Sequence, residues 1–545
     1  MKRKNKLTYI LTVILMVALS LSLDGCGEAG KAARSSDIAV LYTGDVHCAV
    51  DTNIGYAGLE AFKSELEAEG AQVLLVDTGD AIQGAPIGSL SNGKLPIEIM
   101  NRLGYCAMTL GNHEFDYGQD TLRSLSEQAD FPFLSLNFED KESGKPVYQP
   151  YTMAECDGVK IAFVGVSTPN TLISSRPTNF MDESGNYTYS FLQDVSGKAL
   201  WEATQQTVDA AKKDGADYVI ALTHLGIDAA TAPYLSTELI ANISGIDVVL
   251  DGHFHSAVEC ERVQNKDGKR ILLSSAGTGL SHIGYLLIGR DGNLSTGLVS
   301  DYAKKDADTA AYIDSLKTEF DQQLKQPVAV IKDNLVTDDP ATGVRIVRSV
   351  ETNLGDLCAD AIRAATNADI AVMNGGGIRA SLAAGEVTYG DVLTVFPFGN
   401  HLRTIQVTGQ QLLDALELSV SAVPEENGGF LQVSGLTFTF RTSIPSPVTR
   451  DDSGMFTGVD GERRVQNVLI GGKPLDVAGS YTLAGIDYIL RDSGDGYSMF
   501  AGCPVLEADV GLDFDTLLSF LTGGYEQNTT AYADAYGDGR IVAIP

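Results

Sequence analysis

Val73-Leu74-Leu75-Val76 is a short apolar run that stops at Asp77-Thr78-Gly79-Asp80. Such a run, followed at once by a turn glycine between two carboxylates, predicts a buried strand whose C-terminal end presents acidic side chains. The pattern recurs on both sides. Further strand candidates are Ile38 to Tyr42, Phe131 to Leu136, Ile161 to Val166, Tyr218 to Leu222, Ile246 to Leu250 and Ile271 to Ser274. Helical stretches lie between several of them, among them Gly58 to Glu69 and Leu200 to Lys213, with apolar residues three and four apart. Strands alternating with helices predict an α/β domain, and polar motifs that begin where apolar runs end fall on the ligand-binding side of such a sheet.

Five of the seven histidines lie in five such motifs: Gly44-Asp45-Val46-His47, Asp77 to Asp80, Gly111-Asn112-His113-Glu114-Phe115-Asp116, Thr223-His224-Leu225-Gly226 and Asp251-Gly252-His253-Phe254-His255. A strand-end Asp often caps the next helix, and a lone buried His is more often a hydrogen-bonded core residue than a ligand. Five motifs of mixed carboxylate, imidazole and amide type argue for the other reading, a metal centre. In extended backbone residues two apart face the same way, so Asp45 with His47, and His253 with His255, are each expected to grip a common site. Cys48 then faces away. Such donors suit zinc, manganese, cobalt or iron better than calcium or magnesium. Glu114 reads as a helix-start residue favoured by the dipole.

Together the five motifs resemble those of the calcineurin-like metallophosphatases, and their spacing resembles the 5'-nucleotidase branch. The resemblance implies an N-terminal α/β/β/α metallophosphatase sandwich followed by a C-terminal α/β nucleotide-binding domain. It implies two divalent ions, one held by Asp45, His47, Asp80 and His255, the other by Asp80, Asn112, His224 and His253, with Asp80 bridging. Two cations roughly 3.5 Å apart lower the pKa of a shared water and position the hydroxide for attack on phosphorus. By the same resemblance His113 assists the leaving oxygen or stabilises developing charge, and Asp116 orients its ring. Asp77 is left as support behind the ligands.

Ala307 to Leu324 reads as one exposed amphipathic helix interrupted by Pro327. Beyond it a second α/β pattern begins, with Asn353 to Ala365 helical and Ile370 to Met373 a strand, so the expected boundary divides residues 37–327 from 328–545. Arg348 precedes Glu351 to Leu357, and Asn374-Gly375-Gly376-Gly377-Ile378-Arg379 follows the strand. Consecutive glycines admit close backbone approach, and an arginine beside them suits a phosphate or sugar hydroxyls. Both segments resemble the nucleotide-binding domain of 5'-nucleotidases, which implies that Arg348, Asn374 and Arg379 contact the nucleoside side of the substrate. Phe398 resembles one ring of that family's base clamp, and Asp495 its ribose-holding carboxylate. Where the second ring belongs, six residues before Asp495, stands Ile489, with Tyr488 one position earlier. Either Tyr488 is presented by a one-residue shift or the clamp is one-sided. His282 and His401 match no ligand position and are expected in core or surface roles.

The chain has 545 residues, 44% of them apolar, enough for two cores, and a formal net charge of -32, which argues against a nucleic-acid polymer as partner. Met-Lys-Arg-Lys-Asn-Lys followed by an apolar stretch from Leu7 to Leu23 reads as a signal peptide. Leu23-Asp24-Gly25-Cys26 resembles a bacterial lipoprotein cleavage motif, which implies residues 1–26 as leader, a linker over 27–36, and a lipid anchor on Cys26 at the outer face of the membrane. Asp24 stands where a small residue is usual, so simple secretion and an uncleaved helix stay open. The other six cysteines are expected to be mostly small buried apolar residues.

The expectation is an exported dimetal phosphohydrolase acting on nucleoside 5'-monophosphates. UDP-sugar hydrolysis and 2',3'-cyclic-nucleotide 2'-phosphodiesterase with 3'-nucleotidase activity are alternatives within the same mechanism. A non-catalytic solute-binding lipoprotein is the alternative of another class. Oligomeric state is left open.

Overall fold

A computed structural model describes residues 36–545 except 183–184, 228–230 and 526–529. The expected leader, Cys26 and the linker up to residue 35 lie outside the described residues. Four parallel strands open the chain: β1 (Ile38–Thr43), β2 (Gln72–Asp77), β3 (Ala107–Thr109) and β4 (Phe133–Leu134). Then come β5 (Tyr151–Cys156), β6 (Val159–Ser167), β7 (Tyr218–His224), β8 (Val248–Asp251), β9 (Ala257–Gln264), β10 (Arg270–Ala276), β11 (Ile283–Ile288) and β12 (Leu294–Val299). They form two six-stranded sheets, in the orders β12-β11-β1-β2-β3-β4 and β9-β10-β8-β7-β6-β5. The expected run Phe131 to Leu136 pairs over only two residues: Pro132 has no N–H for the ladder, and beyond Leu134 the N–H groups of Ser135 and Leu136 turn to the carbonyls of Gln149 and Gly165.

Strand periodicity explains why the sheets stack. In β7, Tyr218, Ile220 and Leu222 face the opposite sheet, where they meet Val40, Tyr42 and Val76, while Val219 and Ala221 face the helices. A hydrogen bond from Tyr42 Oη to Ser274 Oγ, 2.6 Å, crosses between the sheets. Outside the first sheet lie α1 (Gly55–Ala68), α2 (Lys94–Leu103) and α3 (Gln119–Gln128); outside the second lie α4 (Lys198–Lys213) and α5 (Ser236–Asn242). The layers are therefore helix, sheet, sheet, helix. The central strands, β7 among them, are apolar on both faces, and cutting Leu222 to Ala between the sheets costs about 2–5 kcal/mol.

Next comes α6 (Ala307–Leu324), over the span its sequence predicts, started by the Asp306 side chain accepting the Thr309 N–H at 2.7 Å. Pro327 then opens a new strand, Pro327–Ile331. The later sheet contains β13 (Ile370–Asn374), β14 (His401–Thr408), β15 (Leu431–Ser434), β16 (Ser480–Ile486) and β17 (Val505–Leu512), in the order β15-β13-β16-β14-β17. It packs against α7 (Asn353–Thr366), α8 (Gly409–Ser419) and α9 (Asp513–Ser519). Thr352 caps α7 by accepting the Gly355 N–H. Among the described residues no sheet mixes strands from the two sides of Lys325, although residues 36–545 form one compact unit.

Candidate metal centre and the cleft beside it

The parallel registers set Asp77 of β2 beside Thr43 of β1, and Asp251 of β8 beside Thr223 of β7, so the loops after these strands emerge on one edge of the sandwich. Those loops are not extended. Asp45, His47, Asp80, His253 and His255 have φ of 49°, 48°, 58°, 88° and 58°, in the left-handed region that ordinary residues avoid at a cost of about 1–3 kcal/mol each. The surroundings impose these angles. The Asp45 N–H bonds the Gly79 carbonyl and the His47 N–H that of Asp80, both at 2.9 Å. Asp77 is buried, and its carboxylate accepts the Thr43 hydroxyl at 2.6 Å and the Gly79 N–H at 2.8 Å. Gly79 and Gly111 let the loops meet, since a Cβ on Gly111 would come within 2.2 Å of Asp80 Oδ1.

Six donors fall into two groups, Asp45 with His47 and His255, and Asp80 with His224 and His253. His47 Nε2 faces His255 Nε2 at 3.0 Å, and Asp45 Oδ1 is 3.6 Å from His255 Nε2. Asp80 Oδ2 reaches towards both groups, 3.1 Å from His224 Nε2 and 3.8 Å from His47 Nε2. Extended backbone would put His253 and His255 on a common site; the turned backbone instead sends one to each group, the division that the family resemblance implies. The pairing of Asp45 with His47 is retained, though through left-handed rather than extended backbone.

The donor set fits divalent cations. The Nδ1 atoms of His47 and His224 face the carbonyls of Gln83 and Thr78, at 3.0 and 2.7 Å, which places the proton on Nδ1 and turns Nε2 inward. Asn112 Oδ1 and His224 Nε2 are buried without a hydrogen bond, since the approach of His224 to Asp80 is out of line for one. Burial lowers His47 and His253 to about 3 and His255 well below its usual value, so all three are neutral. Burial also opposes a charge on His224, but Asp80 and Asp45 outweigh it and lift His224 to about 10. Burial likewise opposes ionisation of Asp80, but His224 and His113 overcome it and hold Asp80 well below its ordinary range. Burial raises Asp45 well above its own.

Beside this centre His113 Nδ1 lies 2.6 Å from Asp116 Oδ2, and the His113 N–H donates to Asp80 Oδ1 at 2.8 Å. With Nδ1 engaged, Nε2 is free for a ligand. Glu114 does stand in the first turn of a short 3-10 helix, His113–Phe115, but its carboxylate serves as the tie beneath Asp80. It is fully buried, and its carboxylate accepts the N–H groups of Asp80, Ala81 and Gly111 at 2.8, 2.9 and 2.7 Å. No local signal separates it from a solvent-facing helix-start acid. Cys48 is buried with Sγ towards the Ala81 carbonyl, and the six described cysteines are unpaired.

A cavity of about 220 Å³ joins Asp80, Asn112, His113, His253 and His255 to Arg348, Asn374, Arg379, Phe398, Tyr488 and Asp495. All six residues expected at the substrate end thus share a cavity with the centre. Asn374 Nδ2 donates to Asp495 Oδ2 at 2.9 Å. Arg348 Nε is buried and unpartnered; burial, with Arg345 and Arg379 nearby, lowers Arg348 well below the usual guanidinium range. Arg379 falls to about 10 through burial and the nearby Arg345. The ring of Phe398 lies over His113 with centroids 5.6 Å apart and an interplanar angle of 28°, and the Arg379 guanidinium is 5.6 Å from its centroid. Tyr488 lines the cavity while Ile489 is in the core. Arg176, Arg345 and Arg450 also line it, and sequence reading passed over them because none sits in a glycine-rich or histidine-rich motif. His401 pairs with Asp509 at the surface, and His282 with Ser281.

The sandwich and its donor set define a calcineurin-like metallophosphoesterase. Residues 38–257 match the calcineurin-like phosphoesterase family, and residues 328–502 match the 5'-nucleotidase C-terminal domain. The chain is 29% identical to a 5'-nucleotidase of Vibrio parahaemolyticus, covering 90% of each, and 29% identical to one of Vibrio cholerae, covering 98% of this chain and 99% of that one. It superposes on a 5'-nucleotidase precursor from Thermus thermophilus with a TM-score of 0.77 at 26% identity, over 93% of this chain and 99% of that one. The chain belongs to the 5'-nucleotidase family and is a metal-dependent phosphoester hydrolase with a dinuclear divalent centre.

Proposed function

We propose that the protein releases inorganic phosphate from nucleoside 5'-monophosphates outside the cytoplasm, with residues 37–327 carrying the chemistry and residues 328–545 the nucleoside recognition. The observation that carries this is the single cavity in which Asp80 and Asn112 share walls with Arg348, Asn374 and Asp495. The relatives' names as 5'-nucleotidases support it. Export rests on the sequence of residues 1–26.

Asp45, His47, Asp80 and His255 would hold one ion, and Asp80, Asn112, His224 and His253 the other. When bound, two such ions activate water and offset phosphate charge. The remaining work belongs to side chains. Arg348 and Arg379, besides facing the nucleoside, line the same cavity as Asp80 and attract the substrate's phosphate, an attraction that burial strengthens. His113 Nε2 faces the reacting ester and supports its leaving oxygen, while Asp116 keeps the proton on Nδ1. Asp495, set by Asn374, accepts ribose hydroxyls, and the rings of Phe398 and Tyr488 offer surface to the base.

Hydrolysis of 5'-, 3'- and 2',3'-cyclic nucleotides and UDP-glucose, followed by product chromatography together with phosphate release and compared with Mn, Zn, Co and Mg, tests the reading. The expected result is fastest release from a 5'-monophosphate, abolished by chelation. Preference for UDP-glucose or a cyclic nucleotide would overturn the substrate; activity insensitive to chelation would overturn the mechanism.

A further inference from the structure

One segment outside the catalytic turn grips the His113–Asp116 pair. Ser175 is buried, and its Oγ donates to Asp116 Oδ1 at 3.0 Å, the carboxylate oxygen that His113 does not use. Four residues later Asn179 Nδ2 donates to the Phe115 carbonyl at 2.8 Å. Phe180 then packs among Phe115, Phe138 and Phe191. The turn carrying the pair is thus held at Phe115 and again at Asp116.

The later half of the chain grasps that same segment. Arg176 donates from Nη1 to Asp487 Oδ2 and from Nη2 to Asn400 Oδ1, both at 3.0 Å. The Ile173 carbonyl accepts the Tyr488 hydroxyl at 2.5 Å, and that hydroxyl oxygen accepts the Asp495 N–H at 3.1 Å. Asp487 is itself fixed, its Oδ1 accepting the N–H groups of His401 and Tyr488 at 3.2 and 3.0 Å. Ile173 and Arg176 therefore flank Ser175, and their partners belong to the two loops that carry Phe398 and Tyr488.

From this geometry we infer that Ser175 is a positioning residue for the His113–Asp116 pair, and that residues 170–180 are the element through which seating of the nucleoside-binding half sets that pair. The inference rests on the roles given above to His113 and Asp116. A carboxylate engaged on both oxygens cannot turn about its own bond, so the imidazole bonded to it keeps one orientation. Without the Ser175 hydroxyl Asp116 keeps one such bond. Without Arg176 the segment loses its charged tie across the cleft. The arrangement makes the pair best ordered when the two halves are together.

The test uses the metal-loaded full chain with AMP and with p-nitrophenyl phosphate, an ester lacking a nucleoside to engage the later half. Ser175→Ala should lower kcat about tenfold on both esters with KM within about twofold, and Ser175→Thr, which restores the hydroxyl, should recover most of it. Arg176→Gln should lower kcat/KM about tenfold for AMP and clearly less for p-nitrophenyl phosphate, and should speed amide exchange over residues 171–176 in the metal-free protein. Wild-type kcat in Ser175→Ala, no recovery in Ser175→Thr, equal slowing of both esters by Arg176→Gln, or unchanged exchange would each overturn the inference. If AMP is not hydrolysed, the monophosphate reading fails, while Ser175→Ala on p-nitrophenyl phosphate and exchange in Arg176→Gln still decide this one.

Discussion

The carboxylate of Glu114 holds Asp80 by its backbone: Glu114 Oε2 accepts the Asp80 N–H at 2.8 Å. The same carboxylate accepts from Ala81 and Gly111, so one buried acid joins the loop after β2 to the loop after β3. Glu114→Gln puts an NH₂ where an acceptor is needed and leaves buried N–H groups facing a donor. Metal affinity should fall about 10–100-fold, and stability by about 1–3 kcal/mol. Calorimetric metal titration and urea unfolding measure the two effects separately.

Asp80 Oδ2 is the carboxylate oxygen that reaches towards both donor groups. Asp80→Asn keeps the shape and removes the charge. kcat should fall by more than about a hundredfold, beyond the usual effect of a residue behind the ligands, while the complex with a nucleoside, which needs no metal, keeps its affinity. An equal loss of nucleoside binding, read by fluorescence or calorimetry, would place Asp80 at the wrong end of the cleft.

In the metal-free protein His224 stays protonated up to about pH 10 because Asp80 and Asp45 overcome its burial. A ligand imidazole must be neutral, so loading metal at pH 7–8, below that value, displaces the proton. The sign is fixed: metal binding should release at least the His224 proton, with any that the raised Asp45 carboxyl still holds, and tighten as pH rises. Titration calorimetry in buffers of different ionisation enthalpy counts the protons; a heat independent of buffer would refute the assignment.

Phe398 lies over His113, with Arg379 against its ring, and lines the cavity. A base stacked on that ring gains about 1–3 kcal/mol, so Phe398→Ala should raise KM for AMP at least about fivefold. Every ring system stacks, so the rise should be similar for purine and pyrimidine monophosphates. A change for one base alone would mean that Phe398 reads hydrogen-bonding edges through a neighbour rather than by stacking.

Much of the centre was legible in the chain because its signals are local. An apolar run such as Val73 to Val76 ends at Asp77, and strand-end acids, amides and imidazoles on five such loops point to one edge of a sheet. Asp45, His47, Asp80, His224, His253 and His255 were all found that way, and the structure brings them together in two groups. The division between those groups came from the family resemblance and not from local pattern, which, read as extended backbone, puts His253 and His255 together. That division depends on φ of 88° and 58° at His253 and His255, which the surrounding contacts enforce and no residue type announces.

Residue order determined the strand and helix pattern, the donor types and the glycine-rich loop before Arg379, because each is written in neighbours a few positions apart. Tertiary structure alone decided that the carboxylate of Glu114 is a tie and not merely a helix-start charge, that Arg345 joins Arg348 and Arg379, and that Ser175 and Arg176 connect a catalytic turn to the loops of Phe398 and Tyr488. Most of those relations join residues tens to more than three hundred positions apart, as with Arg176 and Asp487. Only burial, by removing water as the competing partner, makes such distant pairs meet.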